Sequence, residues 1–230
     1  MVSFRSYLAG LIIAATAVAT SRGEAKREIS PLLTAWLRAQ TNIQTWSADV
    51  KQIRTLKTLL QPLTATGHVW FAAPNQFRWE IGQPPQTIAV RKSDEMLVIY
   101  PPLKRAERYS FATQTSGPWK ETLALLEAGF PRNEADLGRQ FNIQSQTISD
   151  DSCQVVLQPK SPSARRMMPQ ITVAFGTNDF ILRATELRFA DGSTMRNEFT
   201  NPKLNPSIDR ALFSPKLASD YTIVEPMKPR

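Results

Sequence analysis

This chain is poor in the residues that most binding and catalytic chemistries need. Its 230 residues include one His, one Cys and nine Gly. A lone Cys153 forms no internal disulfide, and one His with one Cys supplies no ligand cluster for structural zinc or an iron–sulfur centre. The nearest two glycines, Gly129 and Gly138, stand nine positions apart. Neither a dinucleotide-binding fingerprint nor a Gly-rich phosphate loop fits that spacing, and no D-x-D-x-D-G calcium loop occurs. No cofactor or metal is expected. What the chain does have is five Trp, eleven Phe and an apolar fraction of 42%, enough for a generous core.

Residues 1–25 read as an export signal. Arg5 precedes an uncharged apolar run, Tyr7 to Ala19, that ends in the small-x-small pattern Ala17-Val18-Ala19, and Gly23-Glu24-Ala25 offers a second cleavage point. The run is too short for a hydrocarbon layer of ~30 Å. Cleavage after Ala19 or Ala25 takes the net charge from +8 to +7, and residues 26–230 read as one domain. Basic residues are scattered in ones and twos, a pattern that argues against nucleic acid. The densest exception is Arg165-Arg166-Met167-Met168, placed in a loop between two strands and a candidate contact for anionic head groups.

Ser30-Pro31 marks a helix start, and Leu33, Trp36 and Leu37 share one face of the helix that follows. After Asn42 the apolar period changes to two. Trp46, Ala48 and Val50 share a face, as do Gly67, Val69 and Phe71, and then Phe77, Trp79 and Ile81. Further strands are expected at 87–91, 95–100, 105–111, 141–147, 153–157, 171–175, 181–189 and 194–199, with 159–169 read as a connection. One helix interrupts them. Trp119, Leu123, Leu126 and Phe130 fall at helical spacing after Ser116-Gly117-Pro118. About ten strands joined by short turns argue for a mainly β fold: an incomplete antiparallel barrel, lined with large apolar groups and covered by two or three helical lids.

His68 stands in a strand beside Trp70 without the local signature of a catalytic base, and reads as a structural or surface group. Cys153 opens an apolar strand and reads as a buried thiol. Asp150-Asp151, flanked by Ser149 and Ser152, reads as a hairpin turn. No catalytic residue is expected, and the chain does not read as an enzyme.

Gly67-His-Val-Trp70-Phe-Ala-Ala-Pro74-Asn75-Gln-Phe77-Arg78-Trp79-Glu80, followed by Ile88-Ala-Val90 and Met96-Leu-Val-Ile-Tyr100-Pro101, resembles the motif region of the LolA family. The likeness continues through Phe141-Asn-Ile143, Val156-Leu157-Gln-Pro159-Lys160, Ile171-Thr-Val173 and Phe213-Ser-Pro215. Members are periplasmic carriers of outer-membrane lipoproteins. The resemblance implies a monomeric carrier whose apolar cavity holds the acyl chains of lipoproteins. It would take cargo from an inner-membrane ABC lipoprotein-releasing complex and deliver it to an outer-membrane receptor. It also implies a site. Leu33, Trp36 and Leu37 match the N-terminal lid helix, Trp119, Leu123 and Leu126 the central one, and Phe77 and Trp79 the motif aromatics; strand alternation adds Trp46 to the lining. Where many members carry an Arg that ties the lid shut, this chain has Ala73. That difference admits an alternative: a carrier of another lipid, or a lipid-responsive regulatory module on the same fold.

Overall fold

Ser30 caps the first helix, its Oγ accepting from the Leu33 amide at 3.1 Å, and Pro31 occupies the first turn, where its missing N–H costs nothing. The computed structural model describes residues 30–92, 95–110 and 133–225. The expected export segment and the helix of Trp119, Leu123 and Leu126 lie outside the described residues. Helix α1 (Pro31–Gln40) buries Leu33, Trp36, Leu37 and Gln40 along one stripe. Leu33, Trp36 and Leu37 follow the i, i+3, i+4 spacing read from the sequence.

Twelve strands form one sheet: β1 (Thr45–Thr55), β2 (Leu63–Ala72), β3 (Gln76–Ile81), β4 (Thr87–Lys92), β5 (Glu95–Tyr100), β6 (Arg105–Ser110), β7 (Phe141–Ile148), β8 (Ser152–Pro159), β9 (Gln170–Gly176), β10 (Leu182–Arg188), β11 (Thr194–Leu204) and β12 (Thr222–Val224). Their order is β12-β6-β5-β4-β3-β2-β1-β11-β10-β9-β8-β7, so the sheet is open, with β12 and β7 at its edges. All pairings are antiparallel except that of β12 with β6. The first and second runs of strands meet where β1 pairs with β11. A register shift between Ser47 and Asp49 marks that seam. There Asn201 adopts a positive φ of 50° and its side-chain amide donates to Asp49 Oδ2 at 2.8 Å. Pro202, next in line, is tolerated at such an irregularity because it has no N–H to offer the ladder.

Two short helices fall where the sequence reading had none. Helix α2 (Glu134–Gln140) is capped by Asn133, and α3 (Pro162–Met167) by Ser161 with Pro in its first turn. The connection expected at 159–169 is therefore partly helical, and the basic Arg165-Arg166 pair rides on α3.

The main core lies between α1 and the sheet from β1 across to β8. Trp36 stacks on Phe175 with ring centroids 4.6 Å apart and planes 9° apart, and Trp46 meets Phe199 edge-on at 5.3 Å. Aromatic pairs of this kind add about 0.5–1.5 kcal/mol beyond the buried area. Gln40 closes the end of α1 by donating to the Phe180 carbonyl at 3.2 Å. On the opposite face the C-terminal segment crosses β2 to β6 as a strap. Phe213, in a 3-10 turn (Arg210–Phe213), fills a small cluster with Ala72 and Val90, and Arg78 donates to the Leu212 carbonyl at 3.1 Å.

Candidate functional site

Strand alternation and register decide which residues share the face that α1 covers. In one cross-strand row Trp46 stands opposite Phe71, Phe71 opposite Phe77, Phe77 opposite Arg91, Arg91 opposite Met96 and Met96 opposite Tyr109. The next row runs Ala48, Val69, Trp79, Ala89, Val98 and Glu107. A third opens Val50, Gly67, Ile81 and Thr87. Gly67 is required in it: a Cβ there would lie 1.8 Å from the Glu80 backbone oxygen, so only glycine lets β3 close on β2.

This inner face is aromatic and aliphatic at its centre, is interrupted by Arg91 in β4, and becomes polar toward β6. Leu33, Trp36, Leu37 and Trp46 sit together in the main core, each at most 2% exposed. Phe77 belongs to a second cluster with Met96, Val98 and Tyr109. Trp79 packs against both clusters and meets Phe199 edge-on at 5.9 Å. Sequence reasoning missed Met96, Val98 and Tyr109 as part of this face, although alternation within β5 and β6 carries the signal. The indole N–H groups of Trp36 and Trp79 are buried without an acceptor among the described residues. A buried donor left so is costly and calls for an explanation.

Toward β6, Glu107 accepts from the Tyr109 hydroxyl at 2.7 Å and from Arg105 at 2.8 Å. Burial, followed by the bond to Glu107, drives the Tyr109 phenol far above its ordinary value. Burial likewise raises Tyr100. Both rings stay neutral donors at any physiological pH.

Two clefts are lined by described residues. One, of about 310 Å³, lies where α1 ends above the β2–β3 turn and is lined by Gln40, Thr41, Ile43, Phe71, Ala73 and Pro74, among others. Ala73, the position of the family's Arg, is thus on a cleft wall. The other, of about 360 Å³, lies on the outer face between β4 to β6 and the strap, with Leu97, Arg108 and Phe213 in its walls. Neither is lined by Leu33, Trp36, Leu37, Trp46, Phe77 or Trp79: the first four pack together under α1, Phe77 packs in the second cluster, and Trp79 bridges the two.

The remaining candidates lie apart from this face. His68 is on the outer side, its Nδ1 2.8 Å from Asp49 Oδ1 and its ring 4.2 Å from Trp70. The residues paired with it across the strands are Asp49 and Glu80, both carboxylates. The Asn201 amide and then His68 hold the Asp49 carboxyl below its usual range. Cys153 is fully buried, and burial pushes its thiol up. Among the described residues no group of three or more His, Cys, Asp and Glu side chains could hold a metal. On α3, Arg165, Arg166 and Met167 are exposed, but Met168 is 1% exposed and belongs to the main core. Helical spacing turns Met168 inward, which removes it from the expected membrane contact.

The family model for the outer membrane lipoprotein carrier protein LolA matches residues 41–216. The chain belongs to the LolA family. Carriers of the LolA family are periplasmic and non-enzymatic. An outer-membrane lipoprotein carrier protein of Chromohalobacter salexigens is 26% identical to this LolA-family chain over 212 residues, which span 91% of this chain and 93% of that protein. Among solved structures, an uncharacterized conserved protein from Thermus thermophilus superposes with a TM-score of 0.49 at 9% identity, covering 82% of this chain and 94% of that one. A LolA superfamily protein from Nitrosomonas europaea superposes with a TM-score of 0.41 at 9% identity, covering 78% and 96%. No helix among the described residues is long and apolar enough to cross a membrane. The mainly β fold expected from the sequence, an incomplete antiparallel barrel covered by two or three helices, is met by an open twelve-stranded sheet with three helices among the described residues.

Proposed function

We propose that this chain is a periplasmic carrier that shields the acyl chains of lipoproteins and shuttles them from the inner to the outer membrane. The observation that carries the reading is the apolar row Ala48, Val69, Trp79, Ala89 and Val98 across β1 to β5, flanked by Trp46, Phe71 and Phe77, in a member of a lipoprotein-carrier family. Acyl chains lose roughly 0.8 kcal/mol per CH₂ on entering water, so a soluble courier must offer an apolar surface of comparable depth. Leu33, Trp36, Leu37, Trp46, Phe77 and Trp79, with Trp119, Leu123 and Leu126 of the expected central helix, are the proposed lining. Loading would part α1 from the sheet. Buried indole N–H donors at Trp36 and Trp79 would then meet ester or amide carbonyls of the cargo.

Residues 1–25 would direct export, leaving 26–230 as the carrier domain. An inner-membrane ABC lipoprotein-releasing complex would load it and an outer-membrane lipoprotein receptor would unload it. Ala73 favours a second reading. Without the lid-tying Arg, the chain would carry another lipid or serve as a lipid-responsive regulatory module. Mass spectrometry of what co-purifies from the periplasm separates the two, since lipoprotein cargo appears as acylated peptide. The purified protein should bind a fluorescent fatty acid or a triacylated lipopeptide, and Trp79→Glu or Leu123→Glu should abolish it. Undiminished binding by both variants would overturn the lining assignment.

A further inference from the structure

The large apolar side chains that the fold leaves in water are not spread evenly. Leu60 is fully exposed, Leu63 and Leu103 more than half, and Leu59 and Met167 more than a third. These five lie at one end of the sheet, with Ile223 one residue in from it on β12, while Ile148 and Leu204 are exposed at the other end. Arg54 pairs with Leu63 across the β1–β2 hairpin, so residues 56–62 form its tip. Tyr100 pairs with Arg105 at the β5–β6 turn that holds Leu103. Leu157 pairs with Ile171 at the ends of β8 and β9 joined by α3. Arg188 pairs with Thr194 at the β10–β11 turn. That last turn ties α3 to the β1–β2 tip. The Ala190 amide donates to the Met167 carbonyl at 2.9 Å, and a Cβ on Gly192 would lie 2.6 Å from Lys57 Cε.

Cations accompany the apolar tips. Some have acids beside them: Lys104 pairs with Asp220 at 2.6 Å, Arg105 with Glu107 at 2.8 Å, and Lys57 lies near Asp191. No ion pair among the described residues involves Arg54, Arg165 or Arg166. Exposed leucines cost solubility and rarely cluster without a partner. They sit here on separate projections with cations between them, which suits a planar liquid surface that each tip enters independently. A protein partner would need a separate pocket for each.

We propose that this end of the sheet docks on anionic bilayers, with Leu59, Leu60, Leu63 and Leu103 entering the interface and Arg54, Arg165 and Arg166 meeting lipid phosphates. It names the membrane partner of the carrier reading and rests on that reading only for its purpose. The test is flotation of the purified protein with vesicles of phosphatidylcholine alone and of phosphatidylcholine with phosphatidylglycerol. The wild type should bind the anionic vesicles, and less in high salt. Replacing Leu59 and Leu60 together by Ser should weaken that binding about tenfold or more. Arg165→Ser with Arg166→Ser should remove most of the preference for anionic lipid. Because these side chains are exposed, both variants should melt with the wild type and still bind a fluorescent acyl probe. A Leu60→Trp variant should gain blue-shifted emission on anionic vesicles. Wild-type protein that ignores anionic vesicles, or a double Leu variant that binds them undiminished, would overturn the proposal. Loss of acyl-probe binding by the wild type would instead overturn the carrier reading and leave the docking result standing.

Discussion

Trp79 is where the proposed lining and the ordinary core can be told apart. Its ring stands across from Val69 and Ala89 and edge-on to Phe199, and its buried N–H has no acceptor among the described residues. Leaving such a donor unpaired costs about 1–3 kcal/mol. Trp79→Phe removes it and keeps an aromatic edge toward Phe199, while giving up apolar area worth roughly 1–2 kcal/mol. The two effects oppose each other, so the unliganded variant should melt within a few degrees of the wild type. Binding should respond differently. If a cargo carbonyl accepts the Trp79 N–H, the hydrogen bond contributes about 0.5–1.5 kcal/mol net, and its loss weakens affinity about two- to tenfold. The assay titrates an ester-linked acyl probe against its ether analogue, which lacks the carbonyl. Wild-type protein should prefer the ester by that factor, and Trp79→Phe should bind both alike. A variant that keeps the ester preference, or that loses stability like a plain core truncation, would refute the assignment of Trp79 to cargo.

Gly67→Ala should cost about 3 kcal/mol or more, or prevent folding, because the added Cβ meets backbone of β3 at 1.8 Å, which cannot swing aside as a side chain would; urea unfolding measures it. Phe213→Ala should cost about 3–5 kcal/mol and free the strap, since the ring is 1% exposed between Ala72 and Val90; proteolysis near residue 213 should accelerate well before global unfolding. Asp49 has its folded carboxyl held below the usual value, so its stabilisation is present at neutral pH and is lost as pH falls below about 4 toward that lowered value. Asp49→Asn should therefore melt lower at neutral pH and show a shallower loss on acidification, read from melts between roughly pH 6 and 3.

Much of the fold was legible because its signals are periodic. Alternation from Trp46 to Ile81 placed the inner-face residues on one side, and the register shows them in rows. Ser30-Pro31 announced α1, and the same pair at Ser161-Pro162 announces α3, yet six residues of helix leave too short a stripe to stand out from a turn. Asn133, with Glu134 and Asp136 after it, caps α2 in the same way. Met168 misled because a basic, methionine-containing segment looks the same whether its last side chain faces water or the core. The exposed leucines at 59, 60 and 63 were not singled out, since apolar residues read as core until a structure shows a tip with nothing packed on it. Short polar helices and hairpin tips carry little period, and tertiary context decides them.

The geometry also bears on how a carrier can both hold and release. Strand alternation points one set of side chains at α1 and leaves the other face to ion pairs and the strap, so the proposed cargo site is a face of the sheet and the proposed docking site is one of its ends. Docking would then bring the end of the apolar rows to the bilayer without covering them. Three leucines on a hairpin tip contribute at most several kcal/mol at an interface, and nearby cations about 1 kcal/mol each against anionic lipid. A sum of that size gives an encounter that salt or cargo loss can reverse. A spanning helix would give anchorage that nothing in the cycle could undo. Cargo transfer, in turn, needs affinities on both sides of the exchange to be close, because a carrier that held acyl chains far more tightly than the bilayer would never unload. The net positive charge, scattered along the sequence, acquires a use where it stands beside exposed leucines at one end of the sheet.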